Sequence, residues 1–148
     1  MRKNDIIFQE RNTSMLGAYK SYWTNYFNFK SRTSRKNYWL VVLANFIVSF
    51  VLTFLLTLIF GNSGDVSSAK TIEELMEVLR NPAGIISLIW ACVNVIPNIS
   101  IDVRRLHDVN KSGWFIFINL IPFVGSIIFL VLLLSKSVDK DNKYAKEA

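Results

Sequence analysis

Apolar residues gather in three blocks, residues 38–60, 84–101 and 114–134, and none of the blocks contains Asp, Glu, Lys, Arg or His. A helix of about 20 residues, rising 1.5 Å per residue, spans the roughly 30 Å hydrocarbon core of a bilayer. The pattern predicts an all-α integral membrane protein with three membrane-spanning helices. A buried bundle in water would need polar positions at helical spacing, which the blocks lack. Pro122 and Gly125 interrupt the third block near its middle. They leave two readings open: a single kinked span, or a hairpin that dips in and returns to the same side.

Two shorter segments carry helical periodicity. In MLGAYKSYWTNYFNFK (15–30), Leu16, Tyr19, Trp23, Tyr26 and Phe27 recur on one side, which suits a helix lying in the membrane interface or one packed on the rest of the protein. In TIEELMEVLRNP (71–82), Thr71 stands three residues before Glu74, the spacing of a capping box. Ile72, Leu75, Met76 and Leu79 then share a face, and Asn81-Pro82 ends the helix. GNSGDVSS (61–68) reads as a flexible lead-in.

Composition agrees with a membrane setting: of 148 residues, 51% are hydrophobic, 14% aromatic and only 19% charged. The first block begins at residue 38, and it is too long for the apolar core of a signal peptide and lacks a small-residue cleavage site. It is therefore expected to be retained. The lone Cys92 lies inside the second block, where it reads as a small apolar residue.

Net charge of +6 becomes informative once divided among the polar segments. Residues 1–37 hold eight Lys/Arg against two acids, residues 61–83 two against four, residues 102–113 three against two, and residues 135–148 four against three. Positive charge favours the cytoplasm, which places the N-terminal segment and residues 102–113 inside and residues 61–83 outside. Three full spans would put the cationic tail outside, against that preference.

The densest chemistry is RRLHDVNKSGWF (104–115), which holds the only histidine. A zinc or iron site wants three or four protein ligands, and His107 has no cysteine or second histidine beside it. Ser112 with His107 is a pairing that chance supplies often. No glycine-rich phosphate loop is present. These absences point away from an enzyme, a metal, a cofactor or a nucleic-acid partner. A turn between two spans explains more residues: Asn110 and Gly113 suit the reversal, Trp114 suits the interface, and Arg104, Arg105 and Lys111 suit anionic headgroups. A second basic run, KSRTSRK (30–36), lies on the same side, just before Tyr38 and Trp39. If these runs are architectural, Asp108 should pair with Arg104, Arg105, Arg32 or Arg35, since a carboxylate near a low-dielectric boundary is costly alone.

FKSRTSRKNYW (29–39), PNISIDVRRLHD (97–108), KSGWF (111–115) and LIPFVGSI (120–127) together resemble the domain-of-unknown-function 805 family of small bacterial membrane proteins. The family's signature positions are filled here by Arg32, Ser34, Arg35, Tyr38, Trp39, Arg104, Arg105, Leu106, His107, Asp108, Ser112, Gly113 and Trp114. Ser31 stands where the family usually has glycine, and DNKYA (141–145) looks like a worn version of a tail ending in Asn-x-Tyr-Gly. The resemblance implies a membrane fold and no activity. Two classes of function remain. One is a scaffold whose basic face meets anionic lipid headgroups or a protein partner, including another copy of itself. The other is a small transporter component using the Asn94, Asn98 and Asp102 stripe. Ionisable residues inside spans usually mark transport paths, and the blocks have none, so transport ranks second. Asn45, Asn94, Asn98 and Asn119 are expected to bond between helices.

Overall fold

A computed structural model describes residues 14–61 and 69–145. Of the lead-in expected at 61–68, all but Gly61 lies outside the described residues. In chain order the elements are α1 (Met15–Thr24), α2 (Arg35–Phe60), α3 (Ile72–Arg80), α4 (Pro82–Asp108), a 3-10 helix (Gly113–Leu120) and α5 (Val124–Leu134). Among the described residues there is no strand. The chain divides into two compact units, residues 1–44 with 96–148, and residues 45–95.

Both α2, at 26 residues, and α4, at 27, are long and apolar enough to cross a membrane. Within residues 45–95 most apolar side chains of α2 face outward, with Phe46, Phe50 and Phe54 respectively 68%, 64% and 56% exposed. Such a surface is at home in lipid and not in water. Polar groups here are tied locally: Trp90 Nε1 donates to Ser49 Oγ at 3.1 Å, and Asn94 Nδ2 to the Trp90 carbonyl at 2.8 Å. Asn94, expected to bond between helices, thus bonds within its own helix.

The expected cap of α3 is present. Thr71 Oγ1 accepts from the Glu74 amide at 3.2 Å, and Glu74 reaches back to the Lys70 amide at 2.7 Å. Its buried contact is Val78, while Ile72 and Met76 stay exposed. Asn81 then starts α4, accepting from the Ala83 amide at 2.9 Å, and Pro82 takes the first helical position, where no amide proton is needed.

In the unit formed by residues 1–44 and 96–148, α1 is packed on the protein through Ala18 and Tyr22, each 1% exposed. That buried line runs between the positions expected to lead: Tyr19 and Trp23 lie at its edge and Leu16 points outward. Tyr22 Oη donates to Asn98 Oδ1 at 2.8 Å, which fixes α1 against α4.

The third apolar block is folded back on itself. Its 3-10 helix of eight residues, at about 2 Å per residue, and α5 of eleven, at about 1.5 Å, are each about 16 Å long. Equal arms return the chain to its starting level. Between them the Val124 amide bonds the Pro122 carbonyl at 2.7 Å, a γ-turn that holds Phe123 at φ 60. The close approach depends on Gly125, because a Cβ there would sit 1.8 Å from the Ile118 carbonyl oxygen. The single kinked rod therefore gives way to the hairpin in this structure. Asn119, expected to bond between helices, is exposed on it.

Candidate functional site

The charged run at 104–115 is mostly not a loop. Residues 104–108 are the last turn of α4, and the chain reverses only at Val109 to Ser112. Asn110 adopts φ 58. Its amide donates to the His107 carbonyl at 3.0 Å, and the Lys111 amide to the Leu106 carbonyl at 2.9 Å, the paired bonds of a left-handed helix cap. Ser112 Oγ then accepts from the Trp114 amide at 3.4 Å to open the 3-10 helix. Gly113 lets the chain lie against α4, since a Cβ would fall 2.8 Å from a Val103 methyl carbon.

This helix end is the most thoroughly buried stretch of the described chain: Arg104 is 2% exposed, Arg105 0%, Leu106 0%, His107 8% and Asp108 4%. The placement of Arg104 and Arg105 at lipid headgroups is accordingly corrected, and of the three cations expected there only Lys111 is exposed. Internal acceptors account for it: the Ser100 carbonyl lies 3.4 Å from Arg104 Nε, and Arg105 reaches Asp108 and the carbonyls of Leu133 and Ser135.

Asp108 is the hub. Oδ2 accepts from Arg105 Nη1 and from the Ser137 hydroxyl, and Oδ1 from Arg32 Nη2 at 2.9 Å. Two of the four expected arginines thus hold it, one a turn away on α4 and one from the basic run before α2. Arg105 also donates to the Ser135 carbonyl through Nη2 and to the Leu133 carbonyl through Nε at 3.1 Å, closing the end of α5. Arg35 caps the same end from outside, with Nη1 3.3 Å from the Leu134 carbonyl. Arg32 Nη2 further reaches the Val138 carbonyl at 3.0 Å and Asp139 at 3.2 Å.

Residues 135–145 pack over this hub and were not expected to join it. Backbone pairing comes from the Val138 amide to the Asp108 carbonyl at 2.9 Å. Asn142, 6% exposed, aims Nδ2 at the carbonyls of His107 (3.0 Å), Asp108 (3.3 Å) and Val138 (2.8 Å). Three carbonyls where α4 ends and the tail crosses it thus converge on one amide, as a second donor beside the Asn110 amide, the Val138 amide and Arg32 respectively. Tyr144 stacks on His107 with ring centroids 3.8 Å apart and 6° between planes. Ser137, Asn142 and Tyr144 are thus site residues that motif reading left out, although the worn Asn-x-Tyr ending was the available signal.

The basic run before α2 is equally structural. The Thr33 amide donates to the Arg104 carbonyl at 3.1 Å. Ser34 caps α2 by accepting from the Asn37 amide at 3.4 Å. Tyr38 is buried and donates to Asp102 Oδ1 at 2.9 Å. Trp39 lies edge-on to Tyr38 and packs on the core of Ala18, Tyr22, Val41, Ile101, Leu106, Phe129 and Leu133. Trp114, 78% exposed, stays outside the cluster and stacks on Phe117.

Chemically, the arrangement holds one carboxylate between two guanidinium groups and the Ser137 hydroxyl, while Asn142 and the Val138 amide bond the backbone carbonyl of the same residue. Ser112 and His107 are drawn into separate duties, a helix cap and a ring stack. Among the described residues no three of His, Cys, Asp or Glu stand close enough to hold a metal ion.

Known proteins are similar to this chain over most of its length. Inner membrane protein YhaH of Escherichia coli (strain K12) is 28% identical over 124 residues, 83% of this chain and 88% of that protein. Inner membrane protein YhaI of the same strain is 27% identical over 129 residues, 87% of this chain and 92% of that protein. No solved structure matches. The model of the family described as "Protein of unknown function (DUF805)" matches residues 26–146, a range that takes in both arginine runs, the hairpin and the covering tail. This membrane protein belongs to the DUF805 family.

Proposed function

We propose that the protein is a non-catalytic, multi-pass scaffold of the bacterial cytoplasmic membrane, presenting a cationic cytoplasmic face to anionic lipid headgroups. The observation that carries this reading is the division of labour among its charges. The signature charges other than Arg35 turn inward, while the unit that contains them leaves Lys20, Lys30, Arg35, Lys36, Lys111, Lys136, Lys140 and Lys143 exposed against exposed Asp139 and Asp141. Cations at a membrane surface gain about 1 kcal/mol each from anionic lipid. Thermal melts of the purified protein should rise when phosphatidylglycerol replaces phosphatidylcholine, and the rise should vanish at 1 M salt, where screening acts within about 3 Å. Equal melts in the two lipids would sink the reading.

In this reading α2 and α4 cross the bilayer. The hairpin enters from the cytoplasmic side and reaches about half-way, its arms being about 16 Å against a core of roughly 30 Å. Residues 14–34 and 135–145 then share the cytoplasm, and the cationic tail no longer conflicts with the charge preference. Impermeant thiol labelling of intact cells, in a Cys92→Ala background, should reach Glu77→Cys and miss both Lys111→Cys and Lys140→Cys. Labelling at position 140 alone would restore a third full crossing. A transport reading draws less support, because Asn98 and Asp102 are bonded to Tyr22 and Tyr38.

A further inference from the structure

The chain between α1 and α2 forms a feature that the arginine hub does not use. Thr24, Tyr26, Phe27, Asn28, Phe29 and Lys30 line an open cleft of about 480 Å³. That volume suits a small ligand or the headgroup end of a lipid. Its frame is stiff. Asn28 Oδ1 accepts from the amides of Lys30 and Ser31, both at 3.2 Å, and Asn28 Nδ2 donates to Asn25 Oδ1 at 3.0 Å. From α4, the fully buried Ser100 hydroxyl lies 3.1 Å from the Asn25 carbonyl oxygen and 2.8 Å from that of Asn28, so the turn is pinned from below.

With the Asn28 side chain engaged by its own turn, the cleft offers aromatic walls and a single ammonium group. Tyr26 stacks on Trp23 at 6.3 Å between centroids and lies 4.7 Å from the Phe27 ring. Phe27 is 72% exposed, an unfavourable state for a phenyl ring in water. Along the chain, residues 14–64 contain five Lys/Arg and no Asp or Glu, and Arg32 is already engaged by Asp108 and Asp139, which leaves Lys30 as the cation of the cleft. Aromatic walls beside one ammonium group suit an occupant that is anionic at one end and apolar next to it. The cleft also stands before the apolar run of α2 in the chain, which in the proposed orientation sets it near the depth of phospholipid phosphates.

We propose that this cleft is a discrete site for one anionic phospholipid, with the Lys30 ammonium on the lipid phosphate and Phe27 and Phe29 against the carbons next to the glycerol. The proposal rests on the cationic face lying at the headgroups, and sharpens it from a diffuse surface to a place. A diffuse surface would spread the preference over all its lysines. A discrete site concentrates it in one.

Native mass spectrometry of the full-length protein in mild detergent, titrated separately with phosphatidylglycerol and phosphatidylcholine, distinguishes them. The wild type should prefer phosphatidylglycerol by about fivefold, the effect of one lysine at a headgroup. Lys30→Gln should abolish most of that preference, and Phe27→Ala should weaken both lipids alike. The double variant Lys111→Gln/Lys143→Gln, whose lysines are exposed elsewhere in the same unit, should keep it. All of these side chains are exposed, so circular dichroism should show an unchanged fold. Equal loss in Lys30→Gln and in the double variant would remove the site and leave the diffuse surface standing. Absence of any preference in the wild type would remove both.

Discussion

Replacing Asp108 with alanine should cost about 3 to 5 kcal/mol, enough to collapse the folded yield of the protein in detergent. The carboxylate is 4% exposed and is the only acid of the hub that both Arg32 and Arg105 reach. Deleting it strands the Arg105 guanidinium, itself 0% exposed, in a setting where an uncompensated charge is penalised heavily. Arg105→Ala should be similarly damaging, and the double variant should lose much less than the sum, because removing the second partner relieves the charge left by the first. His107→Gln provides the contrast. It forfeits the stack on Tyr144, a loss of about 1 kcal/mol, and should fold at near-normal yield with near-normal behaviour in cells. A His107→Gln protein that folds fully yet behaves as a deletion would overturn the architectural account of the signature.

Gly125→Ala should be the second severe lesion, despite adding one methyl group. The ideal Cβ position lies 1.8 Å from the Ile118 carbonyl oxygen and 3.2 Å from the Ile121 Cβ. Neither obstacle is the tip of a flexible side chain, so the arms must separate, and we expect about 3 kcal/mol of destabilisation. The readout is the thermal midpoint in detergent, with Ser126→Ala as a neutral control because Ser126 is exposed on the same helix. An unchanged midpoint in Gly125→Ala would show that the arms do not approach as described.

How far these features could be read from residues alone depends on the reach of the forces involved. Helices α2 and α4 follow from charge-free apolar runs, and the start of α3 from Thr71 and Glu74, because hydrophobic burial and capping act over a few residues. The end of α4 was harder. Arg104, Arg105 and Asp108 look like water-seeking residues until Arg32, 76 positions earlier, and Ser137, 29 positions later, are known to meet them. The same limit applied to α1, where aromatic residues on nearly every side hid the buried line through Ala18 and Tyr22. Pro122 and Gly125 announced a break, yet whether a break is a kink or a reversal depends on what the two arms touch. In the proposed lipid cleft, Lys30 was legible only as one cation of a basic run, since the turn that frames it is held by Ser100 from a distant helix.

Closure of the hub also has an order in time. Arg105 and Asp108 are three residues apart on one helix and can meet as soon as α4 forms. Arg32 can join from chain already made. Its bond to the Val138 carbonyl spans 106 positions, so the seal over the hub waits until that later segment has been synthesised. Contacts of such separation carry a large loop-closure cost and form slowly. During synthesis the nascent protein therefore passes through a stage in which α4 is made but its charged end is still uncovered.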